Sequence, residues 1–355
     1  MAILKKSQFL TGYFNRWTTS VFFRVYWASI NDPVLVNDWH VVARSEDLKE
    51  GGILPARILE EDLVLWRTGG KAIAWQDLCI HRGARLSLGS VKKDHLSCKY
   101  HGWTYDAEGK CDLIPAHPEQ KPPERAAVTT YLCKEKYGLI WVSLKNPEKD
   151  IPVFPEWDDP AFRAFFAVKG IWNASGPRVV ESALDIAHFP FVHAGLLGDP
   201  NKPEISEYEA TIEDEGVSAQ NIKAWLPSAE TLSNAGSSGE YVDFCYRVLR
   251  PLSLEITERW TDGRRFAFFM AITPVDKMKS ISWALIAMDY DKDIPEKDFV
   301  EFQKVINSQD TPVVESQRPE LLPLDLQAEL HLRSDRMSIA YRKWLKKLGV
   351  TFGTS

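Results

Sequence analysis

The chain has 355 residues, of which 45% are hydrophobic and 26% are charged, and its formal net charge at pH 7 is −6. This composition is that of an ordinary globular protein with room for two domains. The acidic balance argues against nucleic-acid binding, which favours a basic face. No apolar run approaches the roughly 20 residues of a membrane helix, and no signal-peptide pattern is found, so we expect a cytoplasmic protein.

Residues 1–35 are predicted to form an N-terminal arm. The segment is rich in aromatic residues that are expected to line one side of one or two helices. We expect the arm to pack against the body of the protein or against a neighbouring subunit. Contact with a membrane surface is the alternative.

Residues 36–146 are predicted to form an all-β domain. Residues 63–66 and 72–75 are apolar and flank Gly69 and Gly70, which is typical of a β-hairpin. Residues 139–142 form another apolar strand. Prolines 152, 155 and 160 then indicate a linker at the start of a second domain, residues 147–355.

The first domain carries a Cys-x-His half, Cys79 and His81, and a Cys-x2-His half, Cys98 and His101, with sixteen residues between them. Two thiolates and two imidazoles can hold a [2Fe–2S] cluster asymmetrically, with the cysteines on one iron and the histidines on the other. That is the Rieske arrangement, and neutral imidazoles make such a cluster easier to reduce. The pattern therefore predicts a protein that handles electrons.

Two other interpretations of these four residues stay open. A Cys2His2 set also suits structural zinc, although zinc motifs usually keep the two cysteines together and the two histidines together. A disulfide between Cys79 and Cys98 is disfavoured, because five cysteines in 355 residues do not form a disulfide framework. Gly83 and Gly102 favour the cluster, because glycines let backbone N–H groups approach the sulfurs closely.

The second domain is predicted to mix strands and helices. Residues 254–260 and 266–272 alternate around Asp262 and Gly263 and predict a second hairpin, and residues 281–288 predict a further strand. Residues 228–241 are rich in serine and glycine and predict a mobile loop that acts as a lid. We expect the pocket walls to come from residues 195–290. A closing helix is expected to run to Leu348, capped by Ser334 or Asp335.

A second metal motif spans residues 181–193. Glu181, Asp185 and His188 have the spacing i, i+4 and i+7, which predicts one face of a helix. Pro190 is expected to end or kink this helix, so that His193 and His188 turn toward one point. Two histidines and one carboxylate form the facial triad of non-haem Fe(II) oxygenases. The alternative is two ordinary histidines in an aromatic patch.

In this order and spacing, the motifs resemble the Rieske non-haem iron oxygenases over about residues 36–350. The Cys-x-His-Arg-Gly, Cys-x2-His-Gly-Trp and Asp-x2-His-x4-His runs carry the resemblance. Within this family, the sequence pattern is similar to those of the saxitoxin-pathway hydroxylases and the methylxanthine N-demethylases. Of these two groups, it resembles the saxitoxin-pathway hydroxylases more. The resemblance implies an α+β fold: an N-terminal all-β Rieske domain, then a catalytic domain with a helix-grip-like antiparallel sheet and helices.

The resemblance also implies roles for individual residues. The implied ligands of the cluster are Cys79, His81, Cys98 and His101. The implied ligands of the mononuclear iron include His188 and His193. Asp310 is the implied third iron ligand, and Glu315 is the alternative. Asp185 matches a bridging aspartate that links His101 of one subunit to His188 of the next in a head-to-tail homotrimer. The alternative for Asp185 is an ordinary carboxylate on a helix surface.

The function implied is that of a monooxygenase. A separate reductase or ferredoxin, fed by NAD(P)H, is expected to supply electrons, and O2 to be used to hydroxylate a small organic substrate, an alkaloid or heterocycle. N- or O-demethylation is the second choice. Ser182 departs from the family, in which asparagine often occupies this position. An electron carrier without its own catalysis is the rival from another class, with two irons per chain instead of three.

Overall fold

The structure is a computed structural model, and it describes residues 32–227 and 239–355. The predicted N-terminal arm lies almost entirely outside the described residues. Residues 228–238 of the predicted lid also lie outside them. The interpretations of these two segments therefore stay predictions, as does the domain boundary between residues 146 and 147.

The first half of the described chain is built from strands that form two antiparallel sheets. After the short helix α1 (Pro33–Val36), the strands are β1 (His40–Arg44), β2 (Ile53–Ile58), β3 (Glu61–Thr68), β4 (Lys71–Gln76), β5 (Ser90–Lys92), β6 (His95–Ser97), β7 (Thr104–Tyr105), β8 (Cys111–Leu113), β9 (Thr130–Lys136) and β10 (Leu139–Ser143). One sheet has the order β1-β10-β9-β4-β3-β2, and a smaller one has the order β5-β6-β7-β8. The predicted hairpin is confirmed, since β3 pairs antiparallel with β4 around Gly69 and Gly70.

The second half is dominated by one antiparallel sheet. Its strands are β11 (Arg163–Trp172), β12 (Ala210–Ile212), β13 (Val217–Leu226), β14 (Glu240–Arg250), β15 (Ser253–Arg259), β16 (Arg265–Asp276) and β17 (Lys279–Met288). Their order is β11-β17-β16-β15-β14-β13-β12. The helices are α2 (Pro155–Asp158), α3 (Gly176–Leu184), α4 (Phe189–Val192), α5 (Glu296–Ser316) and α6 (Arg336–Leu348).

Most predicted elements of the second half are confirmed. β15 pairs with β16 across the turn at Gly263, whose φ of +92° favours glycine, and residues 281–288 lie in β17. The closing helix follows Asp335, as expected. The predicted loop is wrong at its end, because Glu240 and Tyr241 already pair with β13 as the first residues of β14. The α+β class is confirmed, and no helix of the described residues is long and apolar enough to cross a membrane.

The helix predicted through Asp185 and His188 is wrong. Helix α3 ends at Leu184, and Asp185 is extended, with φ −93° and ψ 109°. The Asp185 carboxylate accepts the N–H of Ala187 at 2.8 Å, a local turn that competes with helical hydrogen bonding. Pro190 ends no helix either. It lies in the first turn of α4, where its missing N–H costs nothing.

A shared apolar core joins the first-half sheet to the second-half sheet. Trp141 of β10 and Phe269 of β16 are fully buried in it, and their ring centroids are 6.4 Å apart. The predicted linker is part of this core, since Ile151 and Phe154 are buried in the same cluster. Thr273 of β16 also donates a hydrogen bond to the backbone of β1. The two halves therefore pack as one body.

We predict that Phe269→Ala lowers the free energy of unfolding by about 3–5 kcal/mol, because it leaves a cavity in this core. Phe269 is 0% exposed, and its ring lies 5.4 Å from that of Phe154. Urea unfolding should be followed by tryptophan fluorescence and by the absorbance of the expected iron–sulfur cluster. Because the core is shared, both transitions should shift together. A shift of the fluorescence transition alone would contradict the shared core.

The matched control is Val153→Ala. Val153 adjoins the same core in the sequence, but it is 65% exposed. Truncation of an exposed side chain should change the free energy of unfolding by less than about 0.5 kcal/mol.

Candidate active site

Two similar tight loops bring together the four residues of the first motif. In the loop after β4, the Gly83 N–H donates to the Cys79 carbonyl at 2.8 Å. In the loop after β6, the Gly102 N–H donates to the Cys98 carbonyl at 3.0 Å. Gly83 and Gly102 have φ values of +69° and +71°, a region that side chains disfavour. The glycines are therefore what allow the chain to turn tightly behind each sulfur.

The thiols face the core, and the imidazoles face the surface. Cys79 and Cys98 are only 2% and 3% exposed, and the Cys79 sulfur lies 3.1 Å from the Tyr105 hydroxyl. The rings of His81 and His101 lie 4.6 Å apart between centroids. His101 is exposed. A group held by these four side chains would present its histidine edge to the outside of the chain.

The donor set fits a two-iron cluster better than its rivals. All five cysteines are free, and no disulfide joins Cys79 to Cys98 in the structure. The buried Nδ1 of His81 has no hydrogen-bond partner, so its lone pair is available to bind a metal ion. Among the described residues, the group of at least three donor atoms that converges within 4.8 Å does not include these four. A single tetrahedral zinc needs such convergence, whereas a [2Fe–2S] cluster keeps the cysteine and histidine pairs apart.

The group that does converge consists of His188, His193 and Asp310. The two Nε2 atoms of His188 and His193 are 3.3 Å apart, and the Asp310 carboxylate lies 3.5 Å and 3.0 Å from them. The histidines flank the single turn of α4, and Asp310 projects from α5. Two imidazoles and one carboxylate directed at one point suit a mononuclear iron with open coordination positions.

Hydrogen bonds to the outer ring nitrogens orient both imidazoles. The Nδ1 of His193 donates to Gln309 Oε1 at 2.8 Å, and the Nδ1 of His188 lies 3.5 Å from the Asp185 carboxylate. Each contact occupies Nδ1 and directs Nε2 toward the other two side chains of the converging group. Burial lowers the pKa of His188, but Asp185 and Asp310 outweigh it and raise that pKa to about 9. A metal must therefore displace a proton from His188 at neutral pH.

The other acidic residues of the motifs are engaged elsewhere. Glu315 accepts the backbone N–H of Asn173 at 2.7 Å and is absent from the converging group. Glu181 forms a buried ion pair with Arg342, with contacts of 2.5 and 2.8 Å. The geometry therefore favours Asp310 over Glu315 as the third iron ligand. Glu181 has a structural role, since its carboxylate is held in the ion pair with Arg342.

A cavity of about 170 Å³ adjoins the three converging side chains. Its walls are mostly aromatic and aliphatic, and they come from the second-half sheet and from α3, α4 and α5. The expected wall range of 195–290 is too narrow, because Trp172, Ser182 and Phe299 also line the cavity. Helices α3 and α5 line it together with the sheet strands. The site is thus shaped for a small, largely apolar molecule.

Several polar residues of the site were not predicted from the sequence. Gln309 orients His193, Tyr105 contacts the Cys79 sulfur, and Glu258 lines the cavity. Gln309 could have been predicted as a site residue, because it directly precedes the expected iron ligand Asp310 in the sequence. The same holds for Glu258, which interrupts the apolar side chains at every second position from Leu254 to Trp260 and is the one acid of β15 that lines the cavity. Nothing in the sequence pointed to Tyr105.

Two family models match separate parts of the chain. Residues 38–132 match the family described as Rieske [2Fe-2S] domain, and residues 172–351 match the family described as Vanillate O-demethylase oxygenase C-terminal domain. The chain is 32% identical over 329 residues to methylxanthine N3-demethylase NdmB of Pseudomonas putida. The aligned region covers 88% of this chain and 89% of NdmB.

A solved structure and a redox protein are also similar. The structure of NdmA from Pseudomonas putida CBB5 has a TM-score of 0.75 and 30% identity, covering 88% of this chain and 90% of that one. A 114-residue part of the chain is 41% identical to the oxidoreductase NdmD of Pseudomonas putida. That match covers 32% of this chain and 19% of NdmD.

We predict that Gln309→Leu weakens Fe(II) binding at the His188, His193 and Asp310 group by about 10- to 100-fold. Loss of the acceptor frees the His193 ring to rotate and to change tautomer. Gln309→Glu restores an acceptor and should keep most of the affinity. Fe(II) titration of protein depleted of the mononuclear iron measures the effect. Equal affinities in the leucine variant and the wild type would show that Gln309 does not orient the ligand.

Proposed function

Since this chain belongs to the Rieske non-haem iron oxygenases, we propose that it hydroxylates a C–H bond of a small organic substrate within the cavity beside His188, His193 and Asp310. The observation that carries the proposal is the opening of this converging group onto a mostly apolar cavity. When bound, the [2Fe–2S] cluster stores an electron and the mononuclear iron activates O2. The net reaction converts R–H, O2, two electrons and two protons into R–OH and water.

The residues of the chain position the reactants. Cys79, His81, Cys98 and His101 are the proposed cluster ligands, and His188, His193 and Asp310 are the proposed iron ligands. The apolar walls hold the substrate and exclude water, which strengthens the electrostatic contacts at the metal group. Ser182 lines the cavity beside the metal group and offers a short hydroxyl.

Demethylation is the second candidate, and the relatives favour it. The similar proteins NdmB and NdmA are named as methylxanthine N-demethylases. Hydroxylation of a methyl group on nitrogen or oxygen gives a product that releases formaldehyde. The same site therefore performs either reaction, depending on which carbon of the substrate faces the metal group.

Asp185 is the proposed route for the electron between the two centres. Its carboxylate contacts His188, and 37% of its side chain remains exposed. His101 is exposed as well, and within the described part of the chain no hydrogen bond or ion pair joins it to Asp185. A carboxylate shared between His101 of one copy and His188 of another would complete both contacts. This supports a head-to-tail homotrimer.

Electrons are proposed to come from outside the chain. A separate reductase or ferredoxin, oxidising NAD(P)H, would reach the cluster in the cytoplasm. The similarity to part of the oxidoreductase NdmD supports a shared type of electron-transfer module. A simple electron carrier is disfavoured, because it needs neither the converging metal group nor the cavity.

We predict that Asp185→Ala, supplied with excess Fe(II) to offset any weaker iron binding, lowers turnover by about 100-fold or more while three irons per chain are retained. The reason is the loss of the contact between the two centres, since the iron keeps its three ligands. Turnover and iron content measure the two effects separately. Asp214→Ala, at a fully exposed position, is the matched control and should be as active as the wild type. Undiminished turnover in Asp185→Ala would remove the bridge.

We expect O2 uptake to be coupled to substrate oxidation when the protein, a generic reductase and NADH are mixed with a purine and alkaloid panel. Incorporation of 18O from O2 into the product identifies hydroxylation, and released formaldehyde identifies demethylation. His193→Ala should bind two irons per chain instead of three and consume no O2. Two irons in the wild type, without O2 uptake, would instead establish an electron carrier.

A further inference from the structure

Among the residues that the structure describes, a single carboxyl group lies on the sheet wall of the cavity. Glu258 of β15 is paired across the sheet with Phe244 of β14 and with Phe266 of β16. Ile256 and Trp260, two residues before and after it, share its face of the strand. All five residues line the cavity. The carboxyl group is therefore surrounded by aromatic and aliphatic side chains.

No described basic side chain forms an ion pair with Glu258. Arg264 is close in sequence, but its guanidinium lies 5.1 Å from the Trp260 ring and is paired with Asp262 at 2.6 Å. Residues 228–238 contain no lysine, arginine or histidine. The buried indole nitrogen of Trp260 makes no hydrogen bond of normal geometry. Neither the described residues nor residues 228–238 thus provide a cation for this carboxyl group.

The isolation of the Glu258 carboxyl has an electrostatic consequence. Burial raises the pKa of Glu258 to about 8, and the Trp260 indole only partly opposes this. The carboxyl therefore keeps its proton at neutral pH while no cation is present. An apolar side chain of similar size would make the fold more stable at this position than an unpaired acid does. The acid is favourable only if a ligand pairs with it.

We propose that Glu258 determines substrate specificity by pairing with a basic nitrogen of the substrate, an amine or an amidine that is protonated in water. The proposal rests on the proposed function, because it names the substrate class of that same cavity. A cation would gain a charge-assisted hydrogen bond from the carboxylate and attraction from the surrounding aromatic rings. A neutral amide of the same shape would gain much less.

The position of Glu258 also orients the substrate. The carboxyl group lies on the sheet wall, whereas His188, His193 and Asp310 come from α5 and the ends of α4. A substrate anchored by its nitrogen on the sheet wall directs its other end toward the helices. The width of the cavity would then determine the distance in the substrate between the basic nitrogen and the C–H bond that reacts.

The test uses benzamidine and benzamide, which share one shape but differ in charge. Calorimetry with the holoenzyme at pH 7 should show benzamidine binding about 10- to 100-fold more tightly than benzamide. Glu258→Gln and Glu258→Leu should both abolish this preference. Glu301→Gln, an exposed acid on α5, is the matched control and should keep it. Cluster absorbance and circular dichroism verify that each variant is folded.

A second measurement counts protons. Because burial raises the pKa of Glu258 to about 8, benzamidine should release close to one proton per site when it binds at pH 7. Titrations in PIPES and Tris, which differ in ionisation enthalpy, give this number. Glu258→Gln should release none. An absent preference in the wild type, or a preference that persists in both Glu258 variants, overturns the proposal.

The outcomes separate this inference from the proposed function. If benzamidine binds through Glu258 but no amine of a panel is oxidised with reductase and O2, the proposed oxygenase reaction fails and the recognition of a cation stands. If neutral substrates are oxidised and Glu258→Gln leaves their KM and kcat unchanged, the oxygenase stands and the role of Glu258 is refuted.

Discussion

The convergence of three polar side chains on one point constrains the rest of the second half. Atoms of His188, His193 and Asp310 approach within 3.5 Å of one another, beside a mostly apolar cavity. Burial of these polar groups lowers the stability of the fold unless each of them has a hydrogen-bond or ion-pair partner. One turn of helix separates the histidines, α5 brings the carboxylate, and Gln309 and Asp185 hold the outer ring nitrogens.

A buried ion network holds the last turn of α3 in place and thereby helps to position Asp185, which follows it. Glu181 of α3 pairs with Arg342 of α6, and Arg178 contacts Glu181 at 3.4 Å and Glu329 at 2.7 Å. Both arginine side chains are only 2% exposed. Loss of one member of such a network is usually severe, because it leaves another charge buried and unpaired. The network ties the last turn of α3 to the closing helix, which positions the segment that follows.

The sequence predicted best those features that depend on local chemistry. The hairpins follow from glycine at turns and from alternating side chains, and the metal motifs follow from the few residue types that bind iron. The prediction failed across residues 185–190, because a helical spacing continues there although a local hydrogen bond of Asp185 breaks the helix. Glu258 and Gln309 acquire their roles only from tertiary contacts: the cavity surrounds one, and α5 carries the other to His193.

The shared core limits how this protein can be recombined with its relatives. Trp141 and Phe269 pack in one cluster although they come from different sheets, and Ile151 and Phe154 of the connecting segment fill the same cluster. A chimera that takes its cluster-binding half from one oxygenase and its cavity from another must therefore match side-chain volumes across this contact. A crossover placed within residues 151–154, the natural choice from sequence alone, would divide the core itself.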